Sequence, residues 1–183
     1  MKKGRKNRAV AIALTVLMVA GSIPLGVNRT ESREASAALS VFYNGENRDG
    51  YGVQYDLEQR MATAANLLTV AGRYMEADDP ALTALRTARQ ELMQADSVAK
   101  KYDANVQLSD AAATVLSRLE NMELSESDKK YPAEFETDLA AAQDRIARSP
   151  YNRLAQEYNS GLSQFPVDLL RGIAGVEELE LFL

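Results

Sequence analysis

The chain has 183 residues, with 21 basic and 26 acidic side chains and a net charge of −5 at pH 7. This length predicts one domain with its terminal extensions. Because five basic residues fall within the first eight positions, the remainder has a net charge of −10, which excludes general binding to nucleic acid. The sequence contains neither Cys nor His, which removes disulfides, thiol nucleophiles, imidazole bases and the usual zinc ligands. We therefore expect no cofactor, no metal site and no enzymatic activity.

The N-terminal segment predicts attachment to a membrane. A basic region, residues 1–8, precedes 19 uncharged residues from Ala9 to Val27. A membrane-spanning helix needs about 20 apolar residues and a cleavable signal about 7 to 15, so this length lies between the two. We favour an uncleaved single-pass anchor, with the basic end inside and the body exported. The alternative is secretion after cleavage near Ala37, in the small-residue motif Ala35-Ser36-Ala37.

The body of the chain, residues 53–166, is predicted to be all-α. Between Val53 and Ser160 the sequence has one glycine and three prolines, far fewer turn residues than a strand-rich domain needs. Residues 28–52 are interpreted as a juxtamembrane linker. Residues 167–183 form an apolar tail, which we expect to fold back over the end of the helical domain, because an exposed apolar patch invites association.

Apolar residues at steps of three and four divide the body into three or four amphipathic helices, expected to form an antiparallel bundle. The second helix is predicted to begin with Asp79 as its cap and Pro80 at its first position. A weak break is predicted at residues 103–105, and the alternative is that the second and third helices form one long bent helix. Pro132 opens the last helix, which Pro150 should kink or split. Residues predicted to face inward in the first and last helices are Val53, Leu57, Met61, Ala64, Leu68, Ala71, Met75, Phe135, Leu139, Ala142 and Ile146.

A repeated motif marks the C-terminal third. Tyr151-Asn152 is followed seven residues later by Tyr158-Asn159, and Phe165-Pro166 begins seven residues after Tyr158. Seven residues make two helical turns, so the aromatic residues share one helix face. A tyrosine stripe at this spacing is more often core than recognition surface, and we expect the asparagine amides to bridge helices.

These motifs resemble the C-terminal signature of the LemA family, and weaker matches lie in the first and last helices. The resemblance implies a membrane-anchored helical bundle whose molecular activity is not established for the family, and it does not imply an enzyme. Together with the uncharged span and the lack of catalytic residue types, it leads us to expect a non-enzymatic interaction or scaffold role. The same positions are expected to be structural, with Arg60 paired to Asp56 one helical turn earlier. The matching positions are Arg60, Asn66, Tyr131, Pro132, Arg148, Tyr151, Asn152, Tyr158, Asn159, Phe165 and Pro166.

Two other functions stay open at this point. Glu120, Glu123, Glu126 and Asp128 lie in or near a loop, where a carboxylate pair would suit a secreted hydrolase. A small-ligand-binding module with a pocket between helices is the other alternative. The protein partner is not identified by the sequence, and the apolar tail offers a surface for self-association.

Overall fold

The computed structural model describes residues 32–164 and 176–183. The predicted anchor, Ala9–Val27, and the signature residues Phe165 and Pro166 lie outside these ranges. The described residues form helices and no strand, which confirms the all-α prediction. None of the described helices is long and apolar enough to cross a membrane.

Helices follow one another from residue 32 to residue 162. α1 occupies residues 32–44, and the later helices are α2 (Val53–Ala71), α3 (Pro80–Gln94), α4 (Val98–Glu120), α5 (Tyr131–Arg148) and α6 (Tyr151–Leu162). The described residues belong to two compact units. The larger, which we call the bundle unit, contains residues 39–152 and 180–183, and the smaller contains residues 32–38, 153–164 and 176–179.

Four helices make the core of the bundle unit. α2 packs against α3, α4 and α5, and α4 packs against α3 and α5. Arg145 near the end of α5 forms an ion pair of 2.7 Å with Asp56 in the first turn of α2. Arg118 near the end of α4 likewise forms an ion pair of 2.7 Å with Asp79 at the start of α3. Because opposite ends meet in both pairs, these helices run antiparallel, as predicted.

The start of α3 follows the sequence signals. Asp79 accepts a hydrogen bond of 2.8 Å from the Ala81 amide, and Pro80 is the first helical residue. The break predicted at residues 103–105 is wrong, because these residues lie inside α4. The chain turns instead just before Ser97, whose hydroxyl caps α4 by accepting from the amide of Lys100 at 3.3 Å.

The buried side of α2 includes most of the predicted positions, namely Val53, Leu57, Ala64 and Ala71, but it extends further round the helix than predicted. Met61 and Leu68 are half-buried, whereas Arg60 and Leu67 are buried. The observed buried residues differ from the predicted ones for two reasons. α2 contacts three other helices, so more than one of its faces is covered, and an apolar pattern does not predict the burial of a charged residue such as Arg60. In α5 the prediction is confirmed, and the residues buried there include Phe135, Leu139, Ala142 and Ile146.

Pro150 splits the last predicted helix into two. α5 ends at Arg148 and α6 begins at Tyr151, so the proline lies between them. A proline inside one continuous helix would remove a backbone hydrogen bond and clash with the preceding turn. Ending one helix and starting another avoids both costs.

A helix occupies part of the segment interpreted as a linker, residues 28–52. The cluster of glycines there forms a tight turn between α1 and α2, with φ of +81° at Gly45 and +89° at Gly50. Gly52 lies so close to α1 that a Cβ atom would come within 2.4 Å of the Phe42 carbonyl oxygen. The glycines therefore mark a connection between two packed helices and not a flexible tether.

Candidate functional site

Asn152, in the first turn of α6, binds the backbone of Phe182 through both ends of its amide. Its Nδ2 donates to the Phe182 carbonyl at 2.8 Å, and its Oδ1 accepts from the Phe182 amide at 2.8 Å. The hydroxyl of Tyr151 donates to the Glu180 carbonyl at 2.6 Å. An asparagine amide carries a donor and an acceptor, so it pairs with an extended residue much as a neighbouring strand does. These bonds hold the segment Glu180–Leu183 through its backbone.

The side chain of Phe182 enters a group of aromatic rings that we call the aromatic nest, formed by Phe42, Tyr102 and Tyr151. The Phe182 ring centroid lies 5.8 Å from that of Phe42 and 5.4 Å from that of Tyr102, and only 6 % of the residue is exposed. Phe42 also makes an edge contact of 5.0 Å with Tyr151. Burial raises the pKa of the Tyr151 hydroxyl to about 12, with the nearby Glu180 carboxylate as a second cause.

The Glu180 carboxylate binds the first turn of α4. Its Oε2 accepts a hydrogen bond of 3.0 Å from the Ala99 amide, which would otherwise have no partner within the helix. This bond, followed by one from the Ser97 side chain, lowers the pKa of Glu180. A negative charge at a helix N-terminus is also favoured by the helix dipole. The predicted return of the tail to the helices is thus confirmed for Glu180–Leu183.

The smaller unit contains the same arrangement. Asn159 donates to the Leu179 carbonyl at 2.9 Å and accepts from the Leu179 amide at 2.8 Å. The Tyr158 hydroxyl donates to the Glu177 carbonyl at 3.2 Å. The expectation that the asparagine amides bridge helices is therefore wrong. Their partners are extended residues of the tail, which offer both an N–H and a C=O group, whereas residues inside a helix have used theirs.

Arg60 is buried in α2 and does not pair with Asp56, contrary to the prediction. Its Nη1 donates to the Leu139 carbonyl at 2.7 Å and its Nη2 to the Ser109 hydroxyl at 2.5 Å. Asp56 is occupied by Arg145 instead. Arg60 Nε is buried and has no acceptor in the described part of the chain. Burial lowers the pKa of Arg60 to about 10, so its guanidinium is still charged at neutral pH.

A groove of about 380 Å³ lies beside Arg60, between α4 and α5. Much of its wall is apolar, and its polar lining residues include Ser109, Ser117 and Gln143. Gln143 uses its Oε1 to accept from Asn105 at 3.0 Å, so its amide N–H groups are left for another partner. We call this the Arg60 groove.

Comparison with protein families gives a match to the LemA family over residues 51–183. The matched span includes the Asn152 and Asn159 sites, Arg60 and all of α2 to α6. The chain belongs to the LemA family. No curated protein gives a significant match. The family resemblance drawn from the sequence is thus confirmed.

The other described LemA signature residues of the bundle unit make none of the hydrogen bonds of the Asn152 site. Asn66 is exposed on α2, and Arg148 is exposed at the end of α5, where it pairs with Asp144. Tyr131 is half-buried and Pro132 is buried at the start of α5. Within the bundle unit, the described signature residues are therefore spread over α2, α5 and the start of α6.

The carboxylates considered for hydrolysis differ in their surroundings. Glu120, Glu123 and Glu126 are exposed, whereas Asp128 is buried. The Asp128 carboxylate accepts from the Tyr74 hydroxyl at 2.7 Å and from Arg73 at 2.9 Å. These two groups, Tyr74 first, lower the pKa of Asp128. A general acid needs a raised pKa, so the surroundings of Asp128 suit a structural ion pair.

Three parts of the Asn152 site are not apparent from the sequence. Phe42 precedes the span matched by the LemA family and lies in the segment interpreted as a linker. Tyr102 is half-buried in α4 and belongs to none of the signature motifs. The bond from Glu180 to α4 joins residues 81 positions apart and has no local signal. The signals present in the sequence are the Tyr-Asn repeat and the apolar character of the tail, which includes Phe182.

Proposed function

We propose that this LemA chain is a membrane-tethered, non-enzymatic interaction module, and that its aromatic nest binds an extended segment of a partner protein. The observation that carries the proposal is the way in which the bundle unit holds Glu180–Leu183. Asn152 pairs with the backbone, the nest takes the Phe182 ring, and the first turn of α4 takes the Glu180 carboxylate. A surface with these three features has the chemistry to bind a similar segment from another chain.

The three contacts define what a partner segment should contain. Backbone pairing by an asparagine amide makes no demand on sequence, whereas the nest favours an aromatic ring. The α4 N-terminus favours an acidic residue two positions before that ring, as Glu180 precedes Phe182. The expected recognition pattern is therefore an acidic residue, any residue and then an aromatic residue, in an extended conformation.

The chain's own segment competes with any partner for the nest. A tethered segment acts at an effective concentration in the millimolar range, so a free peptide with the same contacts would rarely replace it. Displacement then requires a partner that is also concentrated near the LemA domain. Tethering both proteins to one membrane would provide this, and the basic residues 1–8 with the uncharged span Ala9–Val27 support such a tether.

The proposal is tested with the full chain and a labelled peptide of sequence Glu-Leu-Phe-Leu, blocked at both ends. We expect the Phe182→Ala variant, whose nest is vacant, to bind the peptide at least ten-fold more tightly than the wild type. A peptide with Ala in place of Phe is the matched control and should not bind. Equal binding of both peptides, or binding of neither, would reject the nest as a docking site.

The membrane tether is tested separately. The mass of the mature protein from cells, and its recovery in the membrane pellet, distinguish an anchor from a cleaved signal. Crosslinking in those membranes should then capture a protein more strongly with Phe182→Ala than with the wild type. A mature chain that begins near Ala38 and stays out of the pellet would contradict the tether.

A further inference from the structure

We propose that the Arg60 groove binds a small organic monoanion, with a carboxylate head directed to Arg60 and an apolar body in the groove. The inference is independent of the proposed function, because none of the groove-lining residues belongs to the aromatic nest or contacts Glu180–Leu183. It rests on the bonding of Arg60, the remaining donors of the groove, and the character of its walls.

Arg60 is a buried cation that no described carboxylate neutralises. A guanidinium has five N–H groups. Within the described chain, Arg60 donates to two neutral acceptors, the Leu139 carbonyl and the Ser109 hydroxyl, and its buried Nε has no acceptor. Buried charges in proteins are usually paired, since neutral acceptors only partly replace the water that the charge has lost. An anion beside Arg60 would supply the missing interaction.

The other polar groups of the groove are also available as donors. The Gln143 side chain accepts from Asn105 through its oxygen and leaves its N–H groups without a described acceptor. The Ser117 hydroxyl lines the same groove and has no described hydrogen bond. Arg60, Gln143 and Ser117 therefore bring three kinds of donor group to the lining of the groove, and a carboxylate has the acceptor oxygens to match them.

The remaining lining sets the size and the charge of the ligand. Ala112, Leu116 and Leu139 are buried and form an apolar wall, and the volume of about 380 Å³ is at the lower end for ligand pockets. Two exposed acids, Glu120 and Glu136, also line the groove. Their charge opposes the binding of any anion and opposes a multiply charged one such as phosphate most strongly, so the arrangement favours a single negative charge on a small apolar body.

Three probes of nearly the same shape isolate the head group. Benzoate, benzamide and benzamidinium carry charges of −1, 0 and +1 on the same ring. Binding to the full chain is followed by the NMR shifts of the methyl groups of Ala112, Leu116 and Leu139. We expect benzoate to give saturable shifts and to bind at least ten-fold more tightly than benzamide, with benzamidinium weaker still. Equal binding of the three probes, or no saturable benzoate binding, overturns the proposal.

Two variants and one matched control locate the binding. Ala140→Leu adds bulk at an exposed position of the groove and should weaken benzoate binding at least ten-fold. Ala84→Leu makes the same change at an exposed position on α3 and is the matched control, expected to bind as the wild type. Arg60→Met should abolish the preference for benzoate over benzamide. If Ala140→Leu binds benzoate as tightly as the wild type, benzoate does not bind in the Arg60 groove and the proposal is overturned. This conclusion holds even if Arg60→Met fails to fold.

Discussion

Leu67 is fully buried in α2, whereas Leu68, its neighbour in sequence, is half-buried. We expect Leu67→Ala to reduce the free energy of unfolding by about 2–5 kcal/mol, because it removes buried methyl groups and leaves a cavity. Leu68→Ala should cost clearly less, since its side chain already meets water. Urea denaturation of the full chain, followed by circular dichroism, measures both. Equal costs would mean that α2 is rotated from the position described above.

Asp56 and Arg145 form the ion pair that joins the start of α2 to the end of α5. Arg145→Met leaves the carboxylate of Asp56, which is 5 % exposed, without its cation. Because the Arg145 side chain is half exposed, we expect a loss of about 1–2 kcal/mol in the free energy of unfolding and not the larger cost of a fully buried pair.

The matched control for that pair lies on the surface of α5. Lys130 and Glu134 form an exposed ion pair of 3.6 Å. Glu134→Gln should change the free energy of unfolding by less than about 0.5 kcal/mol, since exposed pairs contribute little. A control that loses as much stability as Arg145→Met would show that burial of Asp56 is not the cause.

Asn152→Ala removes both hydrogen bonds to the Phe182 backbone. We expect faster hydrogen exchange at the Phe182 amide and a loss of about 1–3 kcal/mol in the free energy of unfolding. Asn66→Ala changes an exposed asparagine of α2 and should leave both quantities close to those of the wild type. Protection of the Phe182 amide that survives Asn152→Ala would indicate that the aromatic nest alone fixes the segment.

Because of Glu180, the stability of the folded chain depends on pH in the acidic range. Its pKa in the folded protein lies below the ordinary value of 4.5, so its charged form favours folding. The stabilisation is present above pH 4.5 and is lost as the pH falls through the folded-state pKa. Glu180→Gln lacks this contribution, so the difference in stability between wild type and variant should shrink as the pH is lowered. Thermal unfolding from pH 7 to pH 3 measures the trend, and a constant difference would contradict it.

Because of Tyr151, the stability of the folded chain falls as the pH rises in the alkaline range. Its pKa is raised from 10.0 to about 12 in the folded protein, chiefly by burial. The neutral hydroxyl therefore favours folding below pH 10, and this stabilisation is lost as the pH rises from 10 to about 12. Tyr151→Phe is expected to be less stable at neutral pH but to lose less stability across the alkaline range. Parallel stability curves for the two proteins would contradict this cause.

The sequence predicts the helices better than it predicts their contacts. Asp79 and Pro80 start α3 as expected, because a cap and a first-position proline are local signals. Pro150 ends α5 for an equally local reason. The break before Ser97 was missed because residues 95–97 interrupt the apolar pattern too briefly to be seen. The burial of Leu67 in place of Leu68 depends on how many neighbours α2 has, and this information is distributed over the whole chain.

The candidate sites show the same limit. The repeat of Asn152 and Asn159 is visible in the sequence, but a spacing of seven predicts only that the two residues share one face of a helix. Seven residues of a helix span about 10.5 Å, and three residues of an extended chain span about 10 Å. Two asparagines seven positions apart on a helix can therefore bind backbone groups three positions apart in a tail, as Asn152 and Asn159 bind Phe182 and Leu179. Arg60 was paired with Asp56 because the two are one turn apart. The competing partner, Arg145, is distant in sequence and therefore gave no local signal.

Gly52 has a consequence for the proposed docking site that reaches beyond the turn between α1 and α2. Its missing side chain lets α2 begin within contact distance of the Val41 and Phe42 carbonyls. The position of the Phe42 ring, which contacts both Phe182 and Tyr151, depends on this close approach of α2 to α1. A methyl group at position 52 would therefore displace Phe42, and with it one wall of the aromatic nest, although residue 52 does not line the nest. A substitution at position 52 is thus expected to change which partner segments fit the proposed docking site, without any contact between residue 52 and the partner.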